Sequence, residues 1–217
     1  MAISEATCWT EIRGAAAGRE NDRDAFVRRY ETVIRAYLAA RWRGSPLVGE
    51  IDDGAQEVFV ECFNGALGRA DPDRPFRAFL FGVIKNVARR VEHARARAGL
   101  PLHSSFELPA REKSLSGVFD RAWAKALVQQ AARLQRDRAK GDERATKRVE
   151  ILRLRFQENL PIRAIAERWG DDPARLHHQY AAAREEFRAA LGEVVAEHQP
   201  GDPGEVEREC RRLIAFF

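Results

Sequence analysis

Three groups of residues in this 217-residue chain have the types and spacing for recognition chemistry. Asp53, Glu57 and Glu61 recur every four residues and line one helix face with carboxylates, and the segment 50–63 holds five acids and no base. A solvated surface is the default reading of such a face. Phe81, Lys85 and Arg89 recur at the same spacing, which puts an aromatic ring in one row with two cations. The bases of a separated DNA strand stack on such a ring while the cations follow its phosphates; a satellite packing role for Phe81 is the equal alternative. Arg175, His178 and Gln179 fall outside the apolar stripe near the start of a late helix, where side chains reach base edges in a major groove. An ordinary helical hairpin is the alternative there.

Other chemistries are poorly supplied. The adjacent His177 and His178 point about 100° apart on a helix and have no Cys or His close in sequence, so no metal site is expected. Cys8, Cys62 and Cys210 lack the paired spacing of a zinc site or a disulfide framework. No phosphate-loop or nucleophile-elbow pattern occurs, so neither catalytic residues nor a cofactor are expected and the chain is not read as an enzyme. Apolar residues make up 45% and charged residues 32%, the balance of a folding protein. No run of about 20 apolar residues could span a bilayer, no signal peptide opens the chain, and a cytoplasmic location is expected. A net charge of +4 and a pI near 9.2 suit contact with phosphate. The charge is unevenly placed: against the acidic 50–63, the segment 76–97 holds six basic residues and one acid, which suggests two different partners.

The elements that must position these groups are all helical. Asp24 can cap a helix running to Arg43, stopped by Gly44-Ser45-Pro46. A second starts at Asp52 or Asp53 with Ala55, Val58, Phe59, Cys62, Phe63 and Ala66 as its stripe. The turn Asp71-Pro72-Asp73-Arg74-Pro75 leads into a third, with Phe76, Phe79, Leu80, Val83, Ile84, Val87 and Val91. Between Ala98 and Gly117 the periodicity fails among glycines, prolines and serines, the composition of a flexible linker. Helical spacing returns with Phe119, Trp123 and Leu127, breaks at Lys140-Gly141-Asp142 and resumes through Val149, Leu152 and Phe156. Pro161 to Trp169, Gly170 and the cap pair Asp172-Pro173 then read as a helix-turn-helix. The expected fold is all-α, with a first domain at 1–97, a linker at 98–117, a second domain at 118–192 and an extension at 193–217. In the extension Val206, Cys210, Leu213, Ile214 and Phe217 form a stripe that needs a partner.

The order of these features resembles the extracytoplasmic-function (ECF) group of the sigma-70 family. The resemblance is carried by Asp52-Asp53-Gly54-Ala55-Gln56-Glu57-Val58-Phe59, by Phe76-Arg77-Ala78-Phe79-Leu80 through Asn86 and Arg89, and by the linker and late helix pair. Cys8-Trp9-Thr10, the segment Phe119 to Ala124 and the C-terminal extension are similar to a subgroup of planctomycete-like bacteria. The resemblance implies two domains, of which the first docks on core RNA polymerase through Asp52, Asp53, Gln56 and Glu57. It further implies capture of the minus-10 element of promoter DNA by Arg74, Arg77, Phe81, Lys85, Asn86, Arg89 and Arg90. The minus-35 element would be read by Arg175, His177, His178, Gln179 and Arg184. An anti-sigma factor or a kinase is a further partner open to such a chain. Ala164, Asp171, Ala182, Glu185 and Glu186 depart from the family pattern and thin the cations of the last domain. Two alternatives stand beside a sigma factor: a stand-alone helix-turn-helix regulator, and a helical interaction module that binds polymerase without initiating.

Overall fold

Apolar residues spaced three and four apart fold as helices along the whole of the described chain, which comprises residues 8–99, 109–199 and 201–217 of a computed structural model. In order these are α1 (Cys8–Ala16), α2 (Glu20–Arg41), α3 (Ile51–Glu61), α4 (Phe76–Arg97), α5 (Pro109–Arg138), α6 (Glu143–Phe156), α7 (Ile162–Trp169), α8 (Pro173–His198) and α9 (Pro203–Ile214). No strand occurs among the described residues.

The stops follow local chemistry. Gly44 takes a left-handed φ of 73° after α2, and the Ser45 hydroxyl accepts from the Leu47 N–H to start a short 3₁₀ turn. Asp52 and Asp53 occupy the first turn of α3, where the helix dipole favours acids. Gly54, on its inner side, has no space for a side chain, because a Cβ would run into the Trp42 ring. Asp172 caps α8 by accepting from the N–H groups of Ala174 and Arg175, with Pro173 in the first turn.

Three elements differ from the sequence expectation. Residues 8–16 form α1, and α2 starts at Glu20, ahead of Asp24. α5 starts at Pro109, inside the stretch expected to be linker. A proline is compatible with a helix's first turn, and burial of Leu115 and Phe119 offsets the roughly 1 kcal/mol cost of Gly117 within a helix. Residues 100–108 of the expected linker lie outside the described residues, as do 1–7 of the first domain.

The core does not divide at the expected domain boundary. One apolar cluster joins α1–α4 to α5 from Leu115 to Ala131, to the end of α8 through Ala190, Leu191, Val194 and Val195, and to Cys210 and Leu213 of α9. A separate small cluster, Ile151, Leu154, Ile162, Ile165, Ala166 and Leu176, holds α6, α7 and the start of α8 together. α8, about 39 Å long at 1.5 Å per residue, belongs to both. The apolar stripe of α9 finds its partner inside the chain, on α5 and α8, although Ile214 and Phe217 stay exposed.

A buried ion pair ties α2 to α4. Arg41 donates through Nε and Nη2 to the two carboxylate oxygens of Glu92, at 2.7 and 2.8 Å, and Trp42 Nε1 donates to the same carboxylate at 3.0 Å. Arg41 is 3% and Glu92 8% exposed, so losing one partner strands a charge away from water. Glu92→Ala is expected to cost about 3–5 kcal/mol, whereas Arg41→Met with Glu92→Leu recovers most of it. Urea unfolding of the two variants against the parent measures both.

Candidate nucleic-acid interface

α3 turns Gly54, Ala55, Val58 and Phe59 inward and leaves Asp52, Asp53, Gln56 and Glu57 exposed. Val60, 51% exposed, lies on the outer side with them. This face is partly neutralised from within the chain. Asp52 pairs with Arg35 at 2.6 Å, Arg90 donates to Glu61 at 2.8 Å and to Glu57 at 3.4 Å, and Glu50 pairs with Arg95. The oppositely charged segments 50–63 and 76–97 therefore face each other across α3 and α4, a relation the charge counts alone did not reveal.

On α4 the basic row is not uniformly open. Phe81 is half-buried, its ring meeting Phe119 edge-on at 4.9 Å and Tyr37 at 5.5 Å. Of its two sequence readings, packing is the one this arrangement displays. Arg77 pairs with Asp120 of α5 and lies over the Phe119 ring at 5.6 Å. Burial and the nearby Arg212 guanidinium lower its pKa from the usual arginine value, against the pull of Glu209. Lys85 is half-buried, while Asn86, Arg89 and Arg90 are exposed. Arg74 is exposed in the preceding turn, 3.7 Å from Asp71. Thus α5 covers Phe81 and Arg77 at the start of α4, while Asn86, Arg89 and Arg90 farther along it stay exposed.

The α7–α8 corner is built by Gly170, whose left-handed backbone (φ 62°) lets its N–H close on α7. Asp171 accepts from Lys147 of α6 at 2.7 Å and from the Asp172 N–H at 2.9 Å. These bonds hold its carboxyl below the usual range, the Lys147 bond foremost. Arg175, His177, His178 and Arg184 are exposed and Gln179 is half-buried. Arg184 lies over the Tyr180 ring at 5.7 Å. Glu186 pairs with Arg148 of α6 at 2.7 Å, so one acid on this helix serves packing.

A fourth cluster escaped the sequence reading. His198 Nδ1 lies 2.7 Å from the Val194 carbonyl and so carries the proton, leaving Nε2 to accept from the Tyr30 hydroxyl at 2.9 Å. Cys8 Sγ is 3.2 Å from that hydroxyl and 3.4 Å from Nε2, and the Cys8 N–H donates to Glu197 at 3.3 Å. Burial pushes the Cys8 thiol up to about 11 and His198 down to about 4. Cys8 and His198 stand 190 positions apart, beyond any local motif. The usable signal was helical phase: Leu191, Val194, Val195 and His198 follow one buried stripe.

No protein-family model matches the chain, and no curated protein matches it.

The packing of Phe81 has a measurable consequence. Phe81→Ala is expected to lower stability by about 2–3 kcal/mol, toward the low end for aromatic truncations because the ring is only half-buried. Arg175→Ala and Asn86→Ala should stay within about 0.5 kcal/mol of the parent. Urea midpoints of the three variants check this; an unchanged midpoint for Phe81→Ala would mean that the ring contributes no packing.

Proposed function

We propose that the chain is an ECF-type sigma factor, which binds core RNA polymerase and directs initiation at particular promoters. The observation that carries this reading is the face of α3. Its inner side is fully committed to the core, yet Asp52, Asp53, Gln56 and Glu57, the four residues that the family resemblance assigns to polymerase, are all exposed beside Val60. An acidic helix face with an apolar member suits a basic protein groove, where complementary charge sets encounter and register.

Promoter recognition follows from the same reading. α7, Gly170 and α8 act as the helix-turn-helix, with Arg175, His177, His178, Gln179 and Arg184 directed to the minus-35 element. Asn86, Arg89 and Arg90 take the DNA beside the minus-10 element, and Arg74, Arg77, Phe81 and Lys85 act on the element itself. Because Phe81 and Arg77 are engaged by α5, this arrangement is the resting form, and minus-10 engagement requires α5 to move off α4. Bond making belongs to the polymerase, and the chain works in the cytoplasm. An anti-sigma factor or a kinase fits as the agent that controls the opening. The covering of Phe81 and Arg77 also favours a second reading, a module that binds polymerase without opening DNA.

Asp53→Arg with Glu57→Arg tests the docking face. The exposed Glu57–Arg90 pair is worth at most about 1 kcal/mol, so the fold survives its loss. Helix content should be unchanged and affinity for core polymerase should fall by about tenfold or more in a titration. Unchanged affinity would remove the docking assignment.

A further inference from the structure

Cys8 of α1 and Glu197 and His198 of α8 bring one sulfur, one carboxylate oxygen and one imidazole nitrogen within 4.8 Å of one another. We propose that these three side chains bind a single divalent transition-metal ion of the zinc class, which staples α1 to the end of α8. The inference is independent of the sigma-factor reading.

The spacing fits such an ion. With Zn–S of about 2.3 Å and Zn–N of about 2.1 Å, tetrahedral angles put a sulfur and a nitrogen ligand about 3.6 Å apart. Cys8 Sγ and His198 Nε2 are 3.4 Å apart. The imidazole is already oriented as a ligand: Nδ1–H donates to the Val194 carbonyl at 2.7 Å, which leaves the Nε2 lone pair directed at the cluster. A thiolate, an imidazole and one carboxylate select zinc-class ions over calcium or magnesium, which require oxygen ligands.

Charge points the same way. Two half-buried carboxylates, Glu11 and Glu197, face one guanidinium, Arg29, at 2.7 and 3.9 Å. A divalent ion held by the Cys8 thiolate and the Glu197 carboxylate closes to zero charge and leaves Arg29–Glu11 as a neutral pair. On binding, the Cys8 S–H bond breaks and its proton leaves to solvent as the S–metal bond forms, with no redox change. The Tyr30 hydroxyl, displaced from Nε2, keeps a hydrogen-bond acceptor in Cys8 Sγ at 3.2 Å. The staple links positions 190 residues apart and so holds the α1, α2 and α8 junction closed.

The test uses the full chain, stripped with a chelator and then dialysed against zinc chloride or cobalt chloride. The wild type and Cys62→Ser, a buried cysteine elsewhere in the core, should each retain about one zinc per chain, show a thiolate-to-cobalt charge-transfer band, and unfold at a higher temperature with zinc than without. Cys8→Ser should lose the band and bind zinc about a hundredfold more weakly, and Glu197→Gln at least tenfold. Should Cys8→Ser fail to fold, the Glu197→Gln affinity and the wild-type cobalt spectrum decide. The proposal is overturned if folded wild type retains neither metal. It is equally overturned if a folded Cys8→Ser protein keeps the zinc, which would place the ion elsewhere, as at His177 and His178.

Discussion

The Tyr30 hydroxyl lies in the middle of the main apolar core, fully buried, and must be hydrogen-bonded there or cost several kcal/mol. Its partners come from opposite ends of the chain, Cys8 Sγ from α1 and His198 Nε2 from α8. Its ring stacks on Trp123 of α5 at 5.9 Å with planes 7° apart, and packs against Phe26 and Phe76. Four helices are thus required at one point, and a fifth, α4, brings Phe76 there. This requirement explains why the core runs through from the first helices to α5, α8 and α9 rather than ending at a linker.

What the surface can offer follows from that junction. With α5 held against α2 by Trp123, Phe119 falls over α4 and covers Phe81, and Asp120 reaches Arg77. α9 packs on α5 and α8, with Cys210 and Leu213 buried. The outer face of α3 and the start of α8 lie beyond its reach and stay open. The small cluster of α6, α7 and the start of α8 is joined to the rest chiefly through α8 and the Gln135 bond to the Ala183 carbonyl, at 3.1 Å.

Much of the helical order was legible in the sequence because its signals are local. Gly44, Gly141 and Gly170 mark stops that a left-handed backbone needs, and Asp172-Pro173 marks a start. Burial of Val58, Phe59, Ile84, Leu176 and Leu191 followed from helical phase alone. α1 and the start of α5 were not legible, since Pro109, Ser116 and Gly117 read as breakers until Leu115 and Phe119 are seen to be buried. The role of Phe81 was undecided for a related reason: the ring that covers it, Phe119, belongs to another helix. The pairing of Arg90 with Glu57 and Glu61, and of Cys8 with His198, likewise depends on how helices pack, and no spacing rule reports it.

The central claim, that the chain makes polymerase initiate, is tested most directly by transcription in vitro with bacterial core RNA polymerase and the full chain on a genomic fragment library. A sigma factor gives transcripts that begin at discrete sites, depend on the added chain, and share two blocks of upstream sequence, one read by α8 and one melted over α4. A chain that binds core polymerase yet yields no start site above core alone would contradict the account and leave the non-initiating module in its place.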